Sequence, residues 1–327
     1  MKRITEEIKK LLLIDQPIYK GLLGIEWMMV AYMIFTLVLI GIFHADMQEL
    51  PLMLLGRGGI VLGTVVLYFL YRKFPYHGLL LLRFVFQFGL LAYWYPDTYQ
   101  FNRLFSNMDH VFAGLDQSLF GCQPAIEFSK VLPSAFWSEA FNMGYYLYYW
   151  MIAVVFGFYF FCRSFKEFQR VGVMIIASFF LYYIVYIFLP VAGPQFYYPA
   201  IGYPETDIYQ IAQQGFPEMG HYFNSHTELL PAPGYQDGLF YKLVAMAQST
   251  GERPTAAFPS SHIGVSVILM LLALKGSKTL ALCMLPFFLL LCGATVYIQA
   301  HYLVDAIAGF LTAFVAYFLV SQLAKKF

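Results

Sequence analysis

Charged side chains are scarce in this chain. Asp, Glu, Lys and Arg make up 12% of its 327 residues, while 60% of the residues are hydrophobic. A typical soluble domain is about 25% charged. This imbalance argues against an ordinary soluble domain and favours a polytopic membrane protein. The formal net charge of +1 provides no basic excess, so we expect no nucleic-acid partner.

Cysteines are also few, and their positions do not favour cysteine chemistry. Three fall in apolar segments and one in a loop, namely Cys162, Cys283, Cys292 and Cys122. We therefore expect no disulfide framework, no metal site and no cofactor. The first seven residues lack an apolar core and a cleavage site, so we expect no removable signal peptide. Residues 4–13 are predicted to form an amphipathic helix on the cytosolic surface.

Long hydrophobic runs are what the sequence has instead. A helix needs about 20 apolar residues to cross the hydrocarbon core, and somewhat fewer when flanking residues adjust. Residues 96–140 are predicted to form short interfacial helices, and residues 191–261 an ordered cap. We predict an all-α polytopic membrane helix bundle with eight spans, at residues 25–43, 59–71, 78–95, 141–161, 171–190, 262–274, 279–300 and 302–323.

Lysine and arginine clusters predict the orientation of these spans. Cytoplasmic loops are enriched in basic residues, and every cluster falls on one side if both termini are cytosolic. Arg83, in the third span, is expected to snorkel towards that surface. The basic clusters occur at residues 2–20, 72–73, 163–170, 275–278 and 325–326.

Two histidines at predicted non-cytosolic span ends are the candidate chemical groups. His262 follows a Pro-Ser-Ser turn at 259–261, and His301 joins spans seven and eight. His301 and Asp305 are four residues apart, so a helix that begins at His301 would place both on one face. A carboxylate inside the membrane costs about 2.5–3.5 kcal/mol. We expect a hydrogen bond from the His301 ring to offset that cost and to fix the tautomer.

This arrangement predicts phosphoryl chemistry through a phosphohistidine. His301, oriented by Asp305, would attack the phosphorus of a phosphate ester. His262 would protonate the leaving oxygen, and water or an alcohol would then discharge the intermediate. Ser260, Ser261 and the first N–H groups of span six are candidates for holding phosphate oxygens.

With these residues in place, the chain resembles the type 2 phosphatidic acid phosphatase superfamily. That family's Pro-Ser-x-His element matches residues 259–262, and its His-x-x-x-Asp element matches residues 301–305. Ala-Phe-Pro-Ser-Ser-His at 257–262 and His-Tyr-Leu-Val-Asp at 301–305 are similar to the branch that includes inositol phosphorylceramide synthase and sphingomyelin synthase. The resemblance implies a six-helix lipid phosphatase-like membrane core beginning near residue 141, with extra N-terminal spans. It also implies a catalytic triad of His262, His301 and Asp305, and no metal.

Two departures from the hydrolytic branch favour transfer over hydrolysis. Ala294 and Thr295 replace the Ser-Arg pair expected seven and six residues before the second histidine. The Lys-x6-Arg-Pro element that the hydrolytic branch has upstream is missing. Gly-Pro-Gln at 193–195 occupies a plausible counterpart of its position. Another group must then neutralise the phosphate charge. Arg253 is the first candidate because it is nearest the motif in sequence, and Gln195 is a further candidate for the headgroup.

The sequence thus predicts two domains, with N-terminal spans and an interfacial loop at 1–140 and the catalytic core at 141–327. The predicted function is transfer of a phospho-alcohol headgroup from a phospholipid donor to a lipid alcohol acceptor, among membrane lipids and on the non-cytosolic face. A lipid phosphate phosphatase is the first alternative. A non-catalytic transporter or scaffold is the second, disfavoured because only Arg83 and Asp305 stand out as charges within spans.

Overall fold

The structure, a computed structural model, describes residues 12–14 and 19–327. Regular structure in that part of the chain is helical, which confirms the predicted all-α membrane bundle. Most of the helix predicted at 4–13 lies outside the described residues. The α-helices, numbered in chain order, are α1 Gly24–Phe43, α2 Leu50–Lys73, α3 His77–Gly89, α4 Leu91–Asn102, α5 Asp109–Phe120, α6 Pro124–Val131, α7 Ala135–Tyr146, α8 Tyr148–Cys162, α9 Phe165–Phe188, α10 Pro194–Ala200, α11 Ile208–Gln214, α12 Leu239–Gly251, α13 Ser261–Gly276, α14 Lys278–Tyr297 and α15 Leu303–Ala324.

Six helical stretches are long and apolar enough to cross a membrane, so this is an integral multi-pass membrane protein. A seventh crossing is possible if α7 and α8, which are bent by 44° at their junction, form one span. Helix α13 has 16 residues and is therefore about 24 Å long, shorter than the hydrocarbon core of about 30 Å. The count of eight spans and their orientation stay predictions. The six stretches are Gly24–Asp46, Leu50–Lys73, His77–Asn102, Phe165–Phe188, Lys278–Tyr297 and Leu303–Ala324.

Internal contacts divide the chain into two compact units. The N-terminal unit comprises the described part of residues 1–97 together with Phe156–Ala177 and Val320–Phe327. The second unit, called the histidine unit here, comprises Thr98–Val155 and Ser178–Leu319. The domain boundary predicted at residue 140 stays a prediction. The segments predicted as short interfacial helices and as a cap contain α5, α6 and α10 to α12.

Two ion pairs bury charged side chains inside the N-terminal unit. Nη2 of Arg83 on α3 lies 2.6 Å from Oε2 of Glu26 on α1, and both side chains are inaccessible to solvent. Arg57 on α2 pairs with both carboxylate oxygens of Asp97 on α4, at 3.0 and 2.7 Å. Bidentate pairing offsets the cost of removing both charges from water. The prediction that Arg83 snorkels is therefore wrong, because its guanidinium is buried and paired with Glu26 inside the unit.

Local sequence sets the helix boundaries in the histidine unit. Helix α13 begins after Ser260, whose Oγ accepts the N–H of Ile263 at 3.4 Å. Ser277 alone joins α13 to α14, and its Oγ accepts the N–H of Leu280. Gly144 lets α7 approach α14 closely, because a Cβ there would lie 2.7 Å from that of Leu290. These contacts position the end of α13 that carries His262.

Candidate active site

The structure brings the two candidate histidines together. His262 is the second residue of α13, and His301 lies in the short segment between α14 and α15. Their ring centroids are 5.7 Å apart, and the ring planes are inclined by 67°. Residues separated by 39 positions in sequence thus line one site within the histidine unit.

A backbone carbonyl fixes the tautomer of His301. Nδ1 of His301 lies 2.7 Å from the carbonyl oxygen of Ala257. A carbonyl only accepts hydrogen bonds, so Nδ1 carries the proton and Nε2 keeps its lone pair. The side chain is buried, and burial lowers the pKa of His301 to about 4, although the bond to Ala257 opposes that shift. His301 is therefore neutral at pH 7.

Asp305 lies close to His301 without the predicted hydrogen bond. Oδ2 of Asp305 is 3.8 Å from Nδ1 of His301, which is outside hydrogen-bonding range. The same oxygen accepts the backbone N–H of Tyr302 at 2.9 Å, and Oδ1 is buried without a partner. The prediction assumed a helix beginning at His301. Helix α15 begins at Leu303 instead, so the two side chains do not share a helix face.

Two tyrosines enclose the His262 ring. Tyr145 on α7 stacks on it at 4.6 Å with planes inclined by 27°, and Tyr148 on α8 lies 4.7 Å away. Nδ1 of His262 is buried and has no hydrogen-bond partner. In the described part of the chain, neither His262 nor His301 forms a hydrogen bond or ion pair with Lys or Arg. The rings of Tyr145 and Tyr148 are thus the aromatic neighbours of His262.

The serines of the Pro-Ser-Ser turn are held by backbone contacts. The N–H of Ser260 donates to the carbonyl of Asp305 at 3.0 Å, which ties the starts of α13 and α15 together. The N–H of Ser261 donates to the hydroxyl of Tyr186, which itself donates to the carbonyl of Pro259. Both serines are buried. The turn is thus rigid, and its geometry presents the first turn of α13 to the site.

The other two candidate headgroup residues differ in position. Gln195 is buried, and its N–H donates to the carbonyl of Gln299, two residues before His301. Its side-chain carbonyl accepts from Gln248 at 3.1 Å. Arg253 is exposed, and its guanidinium donates to the carbonyl of Glu252. No described contact brings Arg253 to either histidine, whereas Gln195 packs against the segment that carries His301.

Two aspartates of the segment predicted to form short interfacial helices also hold the site, although no role there was predicted for them from the sequence. Asp109 accepts the N–H groups of Ala192 and Gly193 at 2.6 and 2.8 Å. It also accepts the hydroxyl of Tyr302 at 2.9 Å. This carboxylate therefore holds the residue after His301 and the turn before α10. Burial raises the pKa of Asp109, although these hydrogen bonds oppose the shift.

Asp116 performs the corresponding task at the start of α15. Its two oxygens accept the N–H groups of Leu303 and Val304 at 2.9 and 3.0 Å. Burial raises the pKa of Asp116 to about 6, against the opposing effect of those bonds. Asp109 and Asp116 are seven residues apart and share one face of α5. That spacing is a signal from which the pair could have been found.

Backbone strain is concentrated beside His301. Ala256 has φ of 69° and Gln299 has φ of 64°. A non-glycine residue in the left-handed region costs about 1–3 kcal/mol and is often found at functional sites. Ala256 precedes the carbonyl that holds His301, and Gln299 is two residues before the histidine. The strain therefore lies in the two segments that form the Ala257–His301 hydrogen bond.

The fold and the site together define a multi-pass membrane protein with a histidine pair at helix ends. In the described residues, no group of three or more His, Cys, Asp or Glu is arranged to hold a metal. A family model described as the PAP2 superfamily matches residues 111–319, which is more than half of the chain. The chain belongs to the PAP2 superfamily. This membership supports a lipid phosphatase-like or phosphotransferase-like function. No curated protein and no solved structure matches the chain significantly.

Proposed function

We propose that this protein is a lipid phosphotransferase that moves a phospho-alcohol headgroup from a phospholipid to a lipid alcohol. The observation that carries the proposal is the tautomer of His301. The carbonyl of Ala257 holds the proton on Nδ1, so the lone pair of Nε2 is available for attack. A His301 pKa of about 4 keeps the imidazole neutral at pH 7 without a separate base.

The reaction then proceeds in two displacements at phosphorus. Nε2 of His301 forms a bond to phosphorus, the bond from phosphorus to the donor's glycerol oxygen breaks, and His262 gives that oxygen a proton. In the second step His262 removes the proton of the acceptor hydroxyl, whose oxygen attacks phosphorus while the phosphorus–nitrogen bond breaks. Each proton transfer of this kind contributes about 10²–10⁴-fold in rate.

The start of α13 supports binding of the phosphate through a backbone donor. The N–H of Ser261 is taken by Tyr186 and that of Ile263 by Ser260. No described hydrogen bond uses the N–H of His262, which leaves a donor at the positive end of a 16-residue helix. Helix N-termini of this kind bind phosphate. Ser261 and Gln195 are the proposed neighbours of the phosphate and of the headgroup.

Transfer is favoured over hydrolysis by the site's composition and burial. Thr295, where the hydrolytic pattern has arginine, is buried and donates to the carbonyl of Cys292. The backbone carbonyl of Thr295 accepts the N–H of His301, so Thr295 helps to hold the backbone that carries the histidine. Only 3% of His301 is exposed, which limits access of water to the phosphohistidine. These features support the branch resembling inositol phosphorylceramide synthase and sphingomyelin synthase, acting on the non-cytosolic face.

The test is to incubate the purified full chain with a phospholipid labelled in its phosphate, with and without candidate lipid alcohols. The proposal expects label in a new lipid only when an acceptor is present, and label on the protein when the acceptor is withheld. His301→Asn should abolish both signals. His226→Asn is the matched control, because His226 is an exposed loop histidine of the same unit. Release of free phosphate or phospho-headgroup at full rate, whatever acceptor is added, would establish the phosphatase alternative.

A further inference from the structure

An apolar groove runs along the middle and last turns of α13, beyond the first turn that carries His262. Its volume is about 380 Å³, within the range of ligand sites in proteins. All the residues that line it belong to the histidine unit. Its walls include Leu271 and Leu274 of α13, Ala281 and Leu285 of α14, and Phe310 and Phe314 of α15.

The groove is separate from the candidate active site. On α13 its lining runs from Val267 to Leu274, five to twelve residues after His262, which corresponds to about 8 to 18 Å along the axis. Helix α13 therefore has the histidine in its first turn and the groove along its middle and last turns. A molecule in the groove would contact α13 and α15 without contacting the histidine pair.

The polar end of the groove carries positive charge that no acid in the described chain neutralises. Lys278 lines the groove, and Lys275 lies three residues before it. Both lysines are exposed, and no described ion pair includes either one. Lys278 opens α14, where the helix dipole is also positive. An anionic group would therefore be favoured at this position, beside a wall suited to a hydrocarbon chain.

We propose that this groove binds an anionic phospholipid, with one acyl chain between α13, α14 and α15 and its phosphate beside Lys275 and Lys278. A basic pocket between spanning helices matches the chemistry of such a lipid, whereas a zwitterionic lipid gains little from the two lysines. The occupant is a resident membrane lipid and not the substrate at the histidines. This inference is independent of the proposed reaction, because it rests on the groove and the lysines alone.

The experiment uses the full chain in phosphatidylcholine nanodiscs. These contain a trace of either phosphatidylglycerol or phosphatidylcholine with a diazirine in its acyl chain. After photolysis, adducts are mapped by peptide mass spectrometry. The proposal expects the phosphatidylglycerol probe to label Leu271, Leu285 and Phe314 more strongly than the phosphatidylcholine probe. The expected preference is about fivefold for each lysine that contacts the phosphate.

Matched variants separate a specific site from ordinary lipid around the protein. Lys275→Gln with Lys278→Gln should remove the preference, whereas Lys242→Gln should retain it. Lys242 is an exposed lysine of the same unit that pairs with Asp237. Ala281→Phe should reduce labelling by both probes because the new ring fills the groove, and a thermal melt shows whether that variant is folded. Equal labelling by both probes, or a preference unchanged in the double lysine variant, would overturn the proposal.

Discussion

Nδ1 of His301 lies 2.7 Å from the carbonyl of Ala257 and 3.8 Å from Oδ2 of Asp305. The backbone, rather than the carboxylate, therefore selects the tautomer. Asp305 holds the N–H of Tyr302, and its role in the proposed reaction is to stabilise positive charge as it develops on the imidazole. At the scale of single residues, this division of tasks separates the site from a triad in which one carboxylate both orients and stabilises the histidine.

Asp305→Asn should consequently reduce turnover by much less than the roughly 10⁴-fold loss that follows when a triad carboxylate sets the tautomer. The Ala257 carbonyl still holds the proton on Nδ1, so the phosphoenzyme should still form. Single-turnover transfer of labelled phosphate to the protein measures the effect. A complete loss of phosphoenzyme in a folded Asp305→Asn variant would show that Asp305 selects the tautomer after all.

The ring of His262 has aromatic neighbours in place of a charged partner. Tyr145 stacks on it, Tyr148 lies beside it, and the centroid of the His301 ring is 5.7 Å away. A general acid must be protonated before it acts. The face of an aromatic ring attracts a cation by about 0.5–2 kcal/mol, and more strongly when water is excluded. Burial disfavours the charged form of His262, and the tyrosine rings oppose that effect by favouring the imidazolium that the proposed reaction requires.

Tyr145→Phe should keep most activity because the ring face remains, whereas Tyr145→Leu should lower turnover by about 3- to 30-fold, the equivalent of that attraction. In the leucine variant the alkaline limb of the pH–rate profile should also move to lower pH, because His262 loses its proton more readily. Rates measured across pH for both variants provide the check. Equal losses with an unshifted profile would assign Tyr145 a packing role only.

At the scale of whole elements, α5 fixes the loop that carries His301. Asp109 holds the turn before α10 and the hydroxyl of Tyr302, and Asp116 holds the first N–H groups of α15. Carboxylates at a helix start satisfy donors that have no partner within the helix. One face of α5 thereby determines where α15 begins, and this keeps His301 outside that helix.

Asp116→Ala should lower the free energy of unfolding by about 1–2 kcal/mol, which is the usual effect of losing a helix cap. It should also reduce transfer activity, because Leu303 and Val304 lose the carboxylate that holds their N–H groups. Asp207→Ala is a matched control, since Asp207 caps α11 by accepting the N–H of Tyr209 on an exposed surface. Thermal unfolding and single-turnover rates should separate the two variants. Parallel loss of activity in both would deny Asp116 a positioning role.

In the N-terminal unit, two buried ion pairs join helices. One lies between α1 and α3, and the other lies between α2 and α4. Arg83→Gln should destabilise the protein by about 3–5 kcal/mol, because it leaves Glu26 buried without its partner. Adding Glu26→Gln should restore much of that stability. Arg72→Gln, at an exposed position on α2, serves as the control. Unfolding in detergent measures all three, and a double variant as unstable as the single one would contradict the pairing argument.

At the scale of the whole molecule, basic residues are distributed unevenly along the chain. The clusters at residues 72–73, 163–170, 275–278 and 325–326 all follow or separate predicted spans on one side. The histidine pair lies at the opposite end of α13 from Lys275. The rule that cytoplasmic loops are basic therefore predicts that the histidines lie on the non-cytosolic face.

A cysteine introduced after Phe327 should react with a membrane-impermeant maleimide only when the cells are permeabilised. Ser225 is exposed and lies in the segment predicted to form the non-cytosolic cap. A cysteine in its place should react in intact cells. Both are made in a background lacking exposed Cys162 and Cys283. Labelling of the C-terminal cysteine in intact cells would reverse the orientation.

The sequence by itself determined the helical membrane class, the identity of the two histidines and the superfamily. Apolar runs of spanning length have few alternatives in a bilayer. The spacings Pro-Ser-x-His and His-x-x-x-Asp are local, so they can be read directly from the chain. The buried ion pairs were missed because Glu26 and Arg83 are 57 residues apart, and no local pattern indicates that they meet.

Only the tertiary structure decided how the histidines are held. The carbonyl of Ala257 has no signature in sequence, because every residue carries one, and only the strained turns at Ala256 and Gln299 bring it to His301. The first residue of α15 was likewise set by Asp116, 187 residues earlier in the chain. Hydrogen bonds between distant segments depend on how the helices pack, whereas spans and motifs depend on neighbours in sequence. This is why the catalytic candidates were predictable and their hydrogen bonds were not.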